Sequence, residues 1–392
     1  MLTWLKKNKF LLVAAAALAA TIHMRDHIEV PYTWVFCWAG MVIFFAALAA
    51  YVRRTSLKCL ALVLMALMLG LWAMELYVSY PYFGQYVHRN IDRETIPAQA
   101  ASLGQGGETQ LEITRIKTRI TVGNDYSSEI IYSNFPGGWR ITPQYSEAQS
   151  AVVFFGCSFT YGIGLTDADT FPYKVGEDLG EHYQVYNRGI SAYGPHQMLD
   201  MIAGGILDDI AAAHEKMFVF FTTFDEHALR SAGYNIRYPE FPWYELVNGQ
   251  LVRQGVFGDQ YSTPGLLLYR LFKKSQLYQS MFIPKPDRLQ PAIDLYTAII
   301  KQSDLELQKL YGARLTVLIW PANAYGEILR QQGLDVVDLE QFFPDYRQNP
   351  EKYKIPYDGH PNALANEIVT QAIVKMIHQE ENKQAATDNR QQ

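Results

Sequence analysis

Three hydrophobic runs dominate the amino-terminal part of the chain, whereas the rest mixes apolar and polar positions. Phe10–Ile22 is short, but Tyr32–Tyr51 and Leu57–Val78 are each long enough to cross roughly 30 Å of bilayer hydrocarbon. The pattern predicts a membrane anchor over residues 1–80 with helices at about 9–24, 32–52 and 57–79. The first run resembles a signal peptide. We expect it to be retained, because two further crossing runs follow at once and no clean cleavage site precedes a soluble region.

Positive charge sets the expected direction of these helices. Basic residues cluster before the first run and between the second and third: Lys6, Lys7, Lys9, Arg53, Arg54 and Lys58. Because Lys/Arg-rich loops stay cytoplasmic, everything after Tyr80 is expected to be periplasmic or extracellular. This predicts a multi-pass protein of the bacterial cytoplasmic (inner) membrane that contacts the lipid bilayer through its N-terminal helices. The runs show no buried acid, base or Gly/Pro-broken pair typical of a transport path, so their expected role is anchoring.

The segments around the main domain have distinct patterns. Polar residues with Gly, Ala and Gln predict a linker at 81–109. Period-two alternation over Gln110–Val122 and a short strand at Glu129–Tyr132 predict a β-rich preface at 110–149. An aromatic, irregular stretch at about 233–286 predicts an insertion that could cover the site or be merely structural. The polar tail at 379–392 is expected to be disordered.

Strand and helix patterns alternate over residues 150–378. Amphipathic stretches such as Gln197–Ala213 and Asp294–Tyr311 separate apolar runs. Five such runs are the predicted strands: Ala151–Gly156, Tyr183–Asn187, Met217–Thr222, Arg314–Trp320 and Asp335–Leu339. Strands joined by helical crossovers predict an α/β fold with a doubly wound parallel sheet.

Charge and cysteine content exclude several classes of function. A formal net charge of −5 offers no basic surface for nucleic acid. Cys37 and Cys59 lie in hydrophobic runs and Cys157 lies beside a candidate nucleophile, so neither a disulfide framework nor a zinc pattern is present. No cofactor is expected.

Two motifs carry candidate chemistry. Ser158, in Gly156-Cys-Ser-Phe-Thr-Tyr-Gly162, ends the first strand and opens a helix, which presents its hydroxyl and N–H to the edge of the sheet. His360, in Tyr357-Asp-Gly-His-Pro-Asn-Ala363, follows the last strand, and Asp358 can orient its ring. Sites of such sheets lie beyond the carboxyl ends of the strands, so the motifs are expected to meet. The alternative is that both are ordinary helix caps.

These residues resemble the SGNH (GDSL-like) hydrolase superfamily over Ala151–His378. Three blocks carry the resemblance: Gly156–Gly162, Asn187–Gly194 and Asp358–Asn362. It implies a flavodoxin-like fold and esterase or acyltransferase chemistry through an acyl-enzyme. In members resembling this chain, Ser158 is the nucleophile, His360 the general base and Asp358 the supporting acid.

The chain departs from this pattern in its oxyanion hole, for which the resemblance implies Ser158, Ala192 and Asp225. Ala192 stands where the second block normally has glycine, and alanine tolerates fewer backbone conformations. Asp225 occupies the place of an asparagine donor in Thr222-Thr-Phe-Asp-Glu-His227. An ionised carboxylate cannot donate, whereas a protonated one can. Cys157 replaces an aspartate, and Asp358 and His360 are two residues apart where many members have three.

Other polar residues near these blocks are candidates for substrate contact or for support of the site: His227, Arg230, Tyr193 and His196. A metal site built from Asp225, Glu226, His227 and His360 is disfavoured, because adjacent residues point in different directions and lack ligand spacing.

Three functions remain open at this point, besides a lipid or thioester substrate, which only the membrane tether suggests. The first is an extracytoplasmic esterase that removes O-acyl groups from envelope or exported glycan. Its expected partner is an acylated carbohydrate, and envelope polysaccharide machinery is a further candidate partner. The second is an O-acyltransferase that uses the same Ser–His–Asp set. The third is a non-catalytic domain that binds glycan or scaffolds an envelope complex, which the departures at Ala192 and Asp225 support.

Overall fold

The computed structural model describes residues 9–27, 33–82, 90–101, 111–234, 238–272, 275–282, 288–321 and 324–391. The chain divides into two compact units, Met1–His88 with Tyr261–Pro284, and Arg89–Gln260 with Lys285–Gln392. The helices and strands, in chain order, are α1 (Lys9–His27), α2 (Thr33–Tyr51), α3 (Thr55–Ser79), β1 (Asn90–Ala101), β2 (Leu111–Val122), β3 (Tyr126–Asn134), β4 (Ser150–Gly156), α4 (Ser158–Tyr161), α5 (Phe171–Leu179), β5 (Tyr183–Gly189), α6 (Pro195–Ala203), α7 (Asp208–Ala213), β6 (Lys216–Thr223), α8 (Glu226–Ser231), β7 (Pro242–Val247), β8 (Gln250–Val256), α9 (Thr263–Phe272), α10 (Gln276–Phe282), α11 (Gln290–Tyr311), β9 (Leu315–Ile319), α12 (Gly326–Gln331), β10 (Asp335–Asp338) and α13 (Ala363–Gln391).

Helices α2 and α3 are long and apolar enough to cross a membrane. They have 19 and 25 residues, which at the helical rise gives lengths of about 28 and 38 Å. Large apolar side chains along α3, including Leu60, Val63 and Leu67, are exposed. An outward-facing apolar helix is typical of a segment surrounded by lipid. Lys6 and Lys7, on which part of the predicted orientation rests, lie outside the described residues.

The first unit contains a buried acid that the sequence analysis did not expect. Glu75 on α3 is fully buried and accepts hydrogen bonds from Ser275 Oγ at 2.6 Å, Gln276 N at 2.8 Å and Leu277 N at 3.1 Å. Ser275 Oγ in turn accepts from Tyr278 N at 3.1 Å, so it caps α10. The carboxylate satisfies N–H groups that a helix start leaves without intrahelical partners. Glu75 therefore fastens α10 to α3.

A three-stranded antiparallel sheet, in the order β1-β2-β3, forms the preface. Its strand β1 differs from the sequence analysis, which predicts a linker there. Asn90 pairs with Thr121, and the register continues to Ala101 opposite Leu111 with one irregularity. A polar sequence can form β1 because the backbone of β2 supplies its hydrogen bonds, so the side chains of β1 need not be buried. The remaining parts of the predicted linker, 83–89 and 102–109, lie outside the described residues, as does Gln110 at the start of the predicted preface.

The second unit is built on a five-stranded parallel sheet in the order β10-β9-β6-β4-β5. Counted along the chain, these strands are the fifth, fourth, third, first and second, which is the flavodoxin-like order 2-1-3-4-5. One apolar core lies on the face covered by α6, α7, α11 and α12, and another lies under α5 and α13. The predicted α/β fold class, with a doubly wound parallel sheet, is confirmed.

Three details differ from the predicted elements. The stretch Gln197–Ala213 forms two helices, because Gly205 turns the chain at a positive φ of 81°. Helix α13 runs to Gln391, through the tail expected to be disordered, since Ala, Gln, Glu and Lys favour helix. The predicted insertion contains the hairpin β7–β8, which belongs to the second unit, and α9 and α10, which belong to the first.

Candidate active site

The nucleophile candidate begins α4 at the carboxyl end of the central strand β4. Val152–Phe155 on β4 are fully buried, and Ser158 is only 8% exposed. Two glycines let the turn lie close to β5. A Cβ at Gly156 would stand 2.0 Å from Thr160 Oγ1, and one at Gly189 would stand 2.6 Å from the Tyr161 nitrogen. The glycines at these positions therefore serve close packing of the nucleophile turn.

A polar network holds this turn against both neighbouring strands. Asn187 Nδ2 donates to the Thr160 carbonyl at 2.9 Å, while its Oδ1 accepts from Gly189 N at 3.0 Å. Thr160 Oγ1 is hydrogen-bonded to Thr222 Oγ1 on β6. Since these groups are buried, each bond replaces contact with water that the folded chain has lost. The network fixes the backbone on which Ser158 sits.

His360 and Asp358 lie in the loop before α13. His360 Nδ1 is hydrogen-bonded to Asp358 Oδ1. A carboxylate accepts, so Nδ1 carries the proton and Nε2 is the basic nitrogen. The loop is held by the bond from Ile355 N to the His360 carbonyl at 2.8 Å, and Asn362 Oδ1 accepts from Ala365 N at 3.0 Å at the start of the helix. Asp358 therefore sets the tautomer and orientation that a general base needs.

The histidine lies beside the nucleophile turn. Its ring is 5.4 Å from the ring of Phe159, the residue after Ser158. The Ser158 hydroxyl is hydrogen-bonded to Cys157 Sγ at 3.9 Å, and the described residues show no hydrogen bond between Ser158 and His360. Nucleophile–base contacts are often loose before substrate binds and tighten in the complex. A rotation about χ1 of Ser158 redirects the hydroxyl.

Ala192 adopts the backbone conformation that its glycine-like position demands. Its φ is 71°, in the left-handed region, and the turn is closed by the bond from Tyr193 N to the Ile190 carbonyl at 3.1 Å. A non-glycine residue held there stores roughly 1–3 kcal/mol of strain. Such strain persists where the surrounding structure imposes the conformation, and it is concentrated at functional sites.

Asp225 is engaged as an acceptor. It directly precedes α8, and its Oδ1 accepts from Ala324 N at 3.2 Å. Burial raises the pKa of this carboxyl, and the Ala324 hydrogen bond opposes that shift. While it is ionised, Asp225 cannot donate to an oxyanion, so the donors available for that purpose are backbone N–H groups.

Two of the predicted substrate-contacting residues are histidines buried inside the domain. His227 is fully buried, with Nδ1 hydrogen-bonded to Thr223 Oγ1 at 3.0 Å. His196 is 1% exposed, and neither of its ring nitrogens has a partner in the described part of the chain. Burial, and then the charge of Arg230, lower the pKa of His196 to about 3 and that of His227 well below its usual range. The structure thus places both as neutral core residues.

The other two predicted substrate-contacting residues, Arg230 and Tyr193, contact each other. Arg230 donates to the Tyr193 carbonyl at 3.1 Å and pairs with Glu226 at 3.3 Å. Burial raises the pKa of the Cys157 thiol and Arg230 opposes that shift, so the thiol stays protonated at neutral pH. These contacts join α8 to the strained turn at Ala192. The described residues form no cluster of metal-ligating side chains.

An aromatic cavity of about 250 Å³ opens beside His360. Its walls are mainly apolar: Phe159, Phe224, Trp320, Pro321, Phe343, Tyr346, Tyr353, Pro361 and Ala365, with Asp225, Lys354 and Gly359. Trp320 and Phe224 are not among the site residues predicted from the sequence. Both lie just past the carboxyl end of a strand, β9 and β6, so the rule that sites of parallel sheets lie there could have identified them.

No family model matches the chain, and no curated protein matches it. Several solved structures resemble it weakly, among them the following three. A lipolytic protein of the G-D-S-L family from Desulfitobacterium hafniense DCB-2 is 10% identical, with 57% of this chain and 98% of that chain covered and a TM-score of 0.35. TesA is 14% identical, with 56% and 94% covered and a TM-score of 0.31. A member of the lipolytic protein G-D-S-L family from Veillonella parvula DSM 2008 is 11% identical, with 58% and 97% covered and a TM-score of 0.27. By its own strand order, with Ser158 at the end of the first strand and His360 after the last, the chain has the flavodoxin-like α/β fold that the SGNH resemblance implies.

Proposed function

We propose that this chain is a membrane-anchored serine esterase of the SGNH type that acts through an acyl-enzyme. The observation that carries the proposal is the Asp358–His360 pair beside the turn that presents Ser158. A base oriented by a carboxylate, next to a serine at the open edge of a parallel sheet, is the arrangement that activates a hydroxyl for acyl transfer.

The chemistry follows from these positions. His360 Nε2 takes the Ser158 proton while Oγ bonds to the ester carbonyl carbon, and Asp358 stabilises the imidazolium. The N–H groups of Ser158 and Ala192 stabilise the oxyanion. Collapse breaks the ester bond, and the leaving alcohol takes the proton from His360. Water, deprotonated by the same nitrogen, then attacks the acyl-enzyme, which releases a carboxylic acid and restores Ser158.

The proposed substrate is an O-acylated glycan of the cell envelope or of an exported polymer. The aromatic cavity beside His360 can take the acyl group, because its walls are largely apolar. Placement outside the cytoplasm rests on the Lys/Arg-rich loops at the amino terminus and between α2 and α3. A reporter enzyme that is active only outside the cytoplasm, fused after Gln392, tests this orientation.

The nucleophile is tested by labelling the full chain in detergent with a fluorophosphonate probe and mapping the labelled peptide. Label on Ser158 that is lost in Ser158→Ala and strongly reduced in His360→Ala is expected. Ser127→Ala, which removes an exposed serine of β3, serves as the matched control and should keep the label. Absence of label on Ser158 in a folded protein would favour a non-catalytic glycan-binding or scaffold domain.

Labelling alone does not separate an esterase from an O-acyltransferase, since both form the same acyl-enzyme. Incubation with an acylated glycan and a second, unacylated glycan distinguishes the two activities. Release of free carboxylate supports the esterase, and transfer of the acyl group to the second glycan in preference to water contradicts it.

A further inference from the structure

A second cavity, of about 300 Å³, lies at the edge strand β5. It is lined by the segment between β3 and β4 and by the end of β5, including Trp139, Arg140, Tyr186 and Arg188. Arg188 pairs in register with Phe155, three residues before Ser158, so strand geometry places it roughly 10 Å from the nucleophile. Neither the nucleophile nor the His–Asp pair lines this cavity.

Arg188 is a partly buried cation, and no residue that the structure describes neutralises its charge. Its guanidinium carbon lies 4.6 Å from the ring centre of Trp139 and 5.6 Å from that of Tyr186. Its Nε is shielded from solvent and has no partner, and its side chain makes no hydrogen bond or ion pair with any residue that the structure describes. Burying a guanidinium without a counter-charge is costly, so such groups are normally paired.

The other arginine of the same cavity shows how the chain treats a structural guanidinium. Arg140 pairs with Asp167 at 2.6 Å and also donates to backbone carbonyls, including that of Leu165 at 2.8 Å. Its donors are occupied by the protein. The lack of partners at Arg188 is therefore a property of that side chain and not of the cavity as a whole.

The phenol of Tyr186 does not provide the missing negative charge. Its hydroxyl is hydrogen-bonded to His214 Nε2 at 2.9 Å, and His214 Nδ1 bonds the Ala148 carbonyl at 2.8 Å. The carbonyl only accepts, so Nδ1 carries the proton and Nε2 accepts from the phenol. Burial raises the pKa of Tyr186, although Arg188 opposes the shift. Tyr186 is thus a neutral wall of the cavity.

We propose that this cavity binds an organic oxyanion, a carboxylate or phosphate group carried on a sugar-sized body, through Arg188. The planar guanidinium presents paired donors that match such groups. The volume exceeds the needs of a bare inorganic anion and falls at the lower end of small-ligand sites, and the aromatic walls can cover an attached ring. An acidic sugar, free or within a glycan, has this chemistry. The site does not depend on Ser158 being a nucleophile.

Binding is measured by titration calorimetry on the full chain in detergent with glucuronate, glucose, inorganic phosphate and a glucuronate-containing oligosaccharide. Wild type should bind glucuronate and not glucose. Arg188→Gln should raise the Kd at least tenfold, because a hydrogen bond to a charged group contributes at least a factor of ten. Arg347→Gln, which alters an exposed arginine paired with Glu340, is the control and should leave the Kd unchanged. Tighter binding of the oligosaccharide than of glucuronate would assign the site to a polymer, and equal binding to a free acidic sugar.

Three results would overturn the proposal. The first is glucuronate binding that Arg188→Gln leaves intact, and the second is no glucuronate binding by wild type. The third is inorganic phosphate binding as tightly as glucuronate, which would reduce the site to a bare-anion contact. Thermal unfolding guards against misfolding of the variant. Removing an unpaired, partly buried charge should not lower the unfolding temperature in Arg188→Gln, so lost binding with unchanged stability points to a ligand role.

Discussion

Replacing Arg140 with methionine removes a fully buried guanidinium that hydrogen-bonds to the turn after the candidate nucleophile. The side chain makes five hydrogen bonds: to Asp167 Oδ1 and to the carbonyls of Ile131, Tyr161, Gly162 and Leu165. It also lies 4.5 Å from the Tyr132 ring centre and 5.2 Å from that of Tyr161. Methionine keeps part of the apolar stem but provides no donor.

The expected loss in the free energy of unfolding depends on the groups that Arg140 leaves without a partner. Removing one partner of a buried ion pair costs about 3–5 kcal/mol. Asp167 keeps 17% side-chain exposure and the bond from Ser133 N at 3.1 Å, which favours the lower end of that range. For a domain of this size, a loss of about 3 kcal/mol corresponds to a fall of roughly 5–10 °C in the unfolding temperature.

Thermal unfolding of the full chain in detergent measures this fall, and the rate of Ser158 labelling by a fluorophosphonate should decrease with it. Arg140→Lys should lower the unfolding temperature by a similar amount, because an ammonium group cannot reproduce the planar arrangement of donors in a guanidinium. Arg347→Met, at an exposed arginine paired with Glu340, should unfold close to wild type. An Arg140→Met protein that unfolds within about 2 °C of wild type would refute the reasoning, since that corresponds to only about 1 kcal/mol.

Three further changes have defined outcomes. Ala192→Gly should retain Ser158 labelling, whereas Ala192→Val should reduce it at least tenfold, because a β-branched residue resists a φ of 71°; equal labelling rates would contradict this. The folded pKa of His196, about 3, lies below its unfolded value near 6.5, so the unfolded chain binds more protons between these pH values. Stability should therefore be highest above about pH 6.5 and fall by up to about 1.4 kcal/mol per pH unit below it. Urea unfolding at pH 7 and 5 should show this dependence weakened in His196→Phe, and an identical pH dependence would refute the assignment. Glu75→Ala should speed amide hydrogen exchange over 276–282 by removing the acceptor for that helix start, with Glu75→Gln intermediate; unchanged exchange would show that packing alone holds the segment.

The sequence by itself determined two kinds of feature. One is an apolar element that can be buried against any apolar surface, and the other is a contact between residues close together in the chain. An apolar run such as Val152–Phe155 must be buried on both faces, and this predicts a central strand of a parallel sheet. The topology of such sheets brings the ends of successive strands to one edge. A position of His360 beside the nucleophile turn could therefore be expected, because Ser158 follows β4 and His360 follows the last strand. The chemistry of Asp358 beside His360 is local, and its hydrogen bond lies within two residues.

Only the tertiary structure decided which polar groups find partners across long separations. Glu75 meets Ser275 although 200 residues separate them, and Arg140 meets Asp167 while Arg188 meets no carboxylate in the described part of the chain. Hydrophobic periodicity reports which face of an element is buried, but it carries no information about which distant donor faces which acceptor. The same holds for β1, whose polar residues form a strand because β2 supplies its hydrogen bonds. Pairing of polar groups depends on where the whole fold places them, and a local sequence pattern contains no information about those positions.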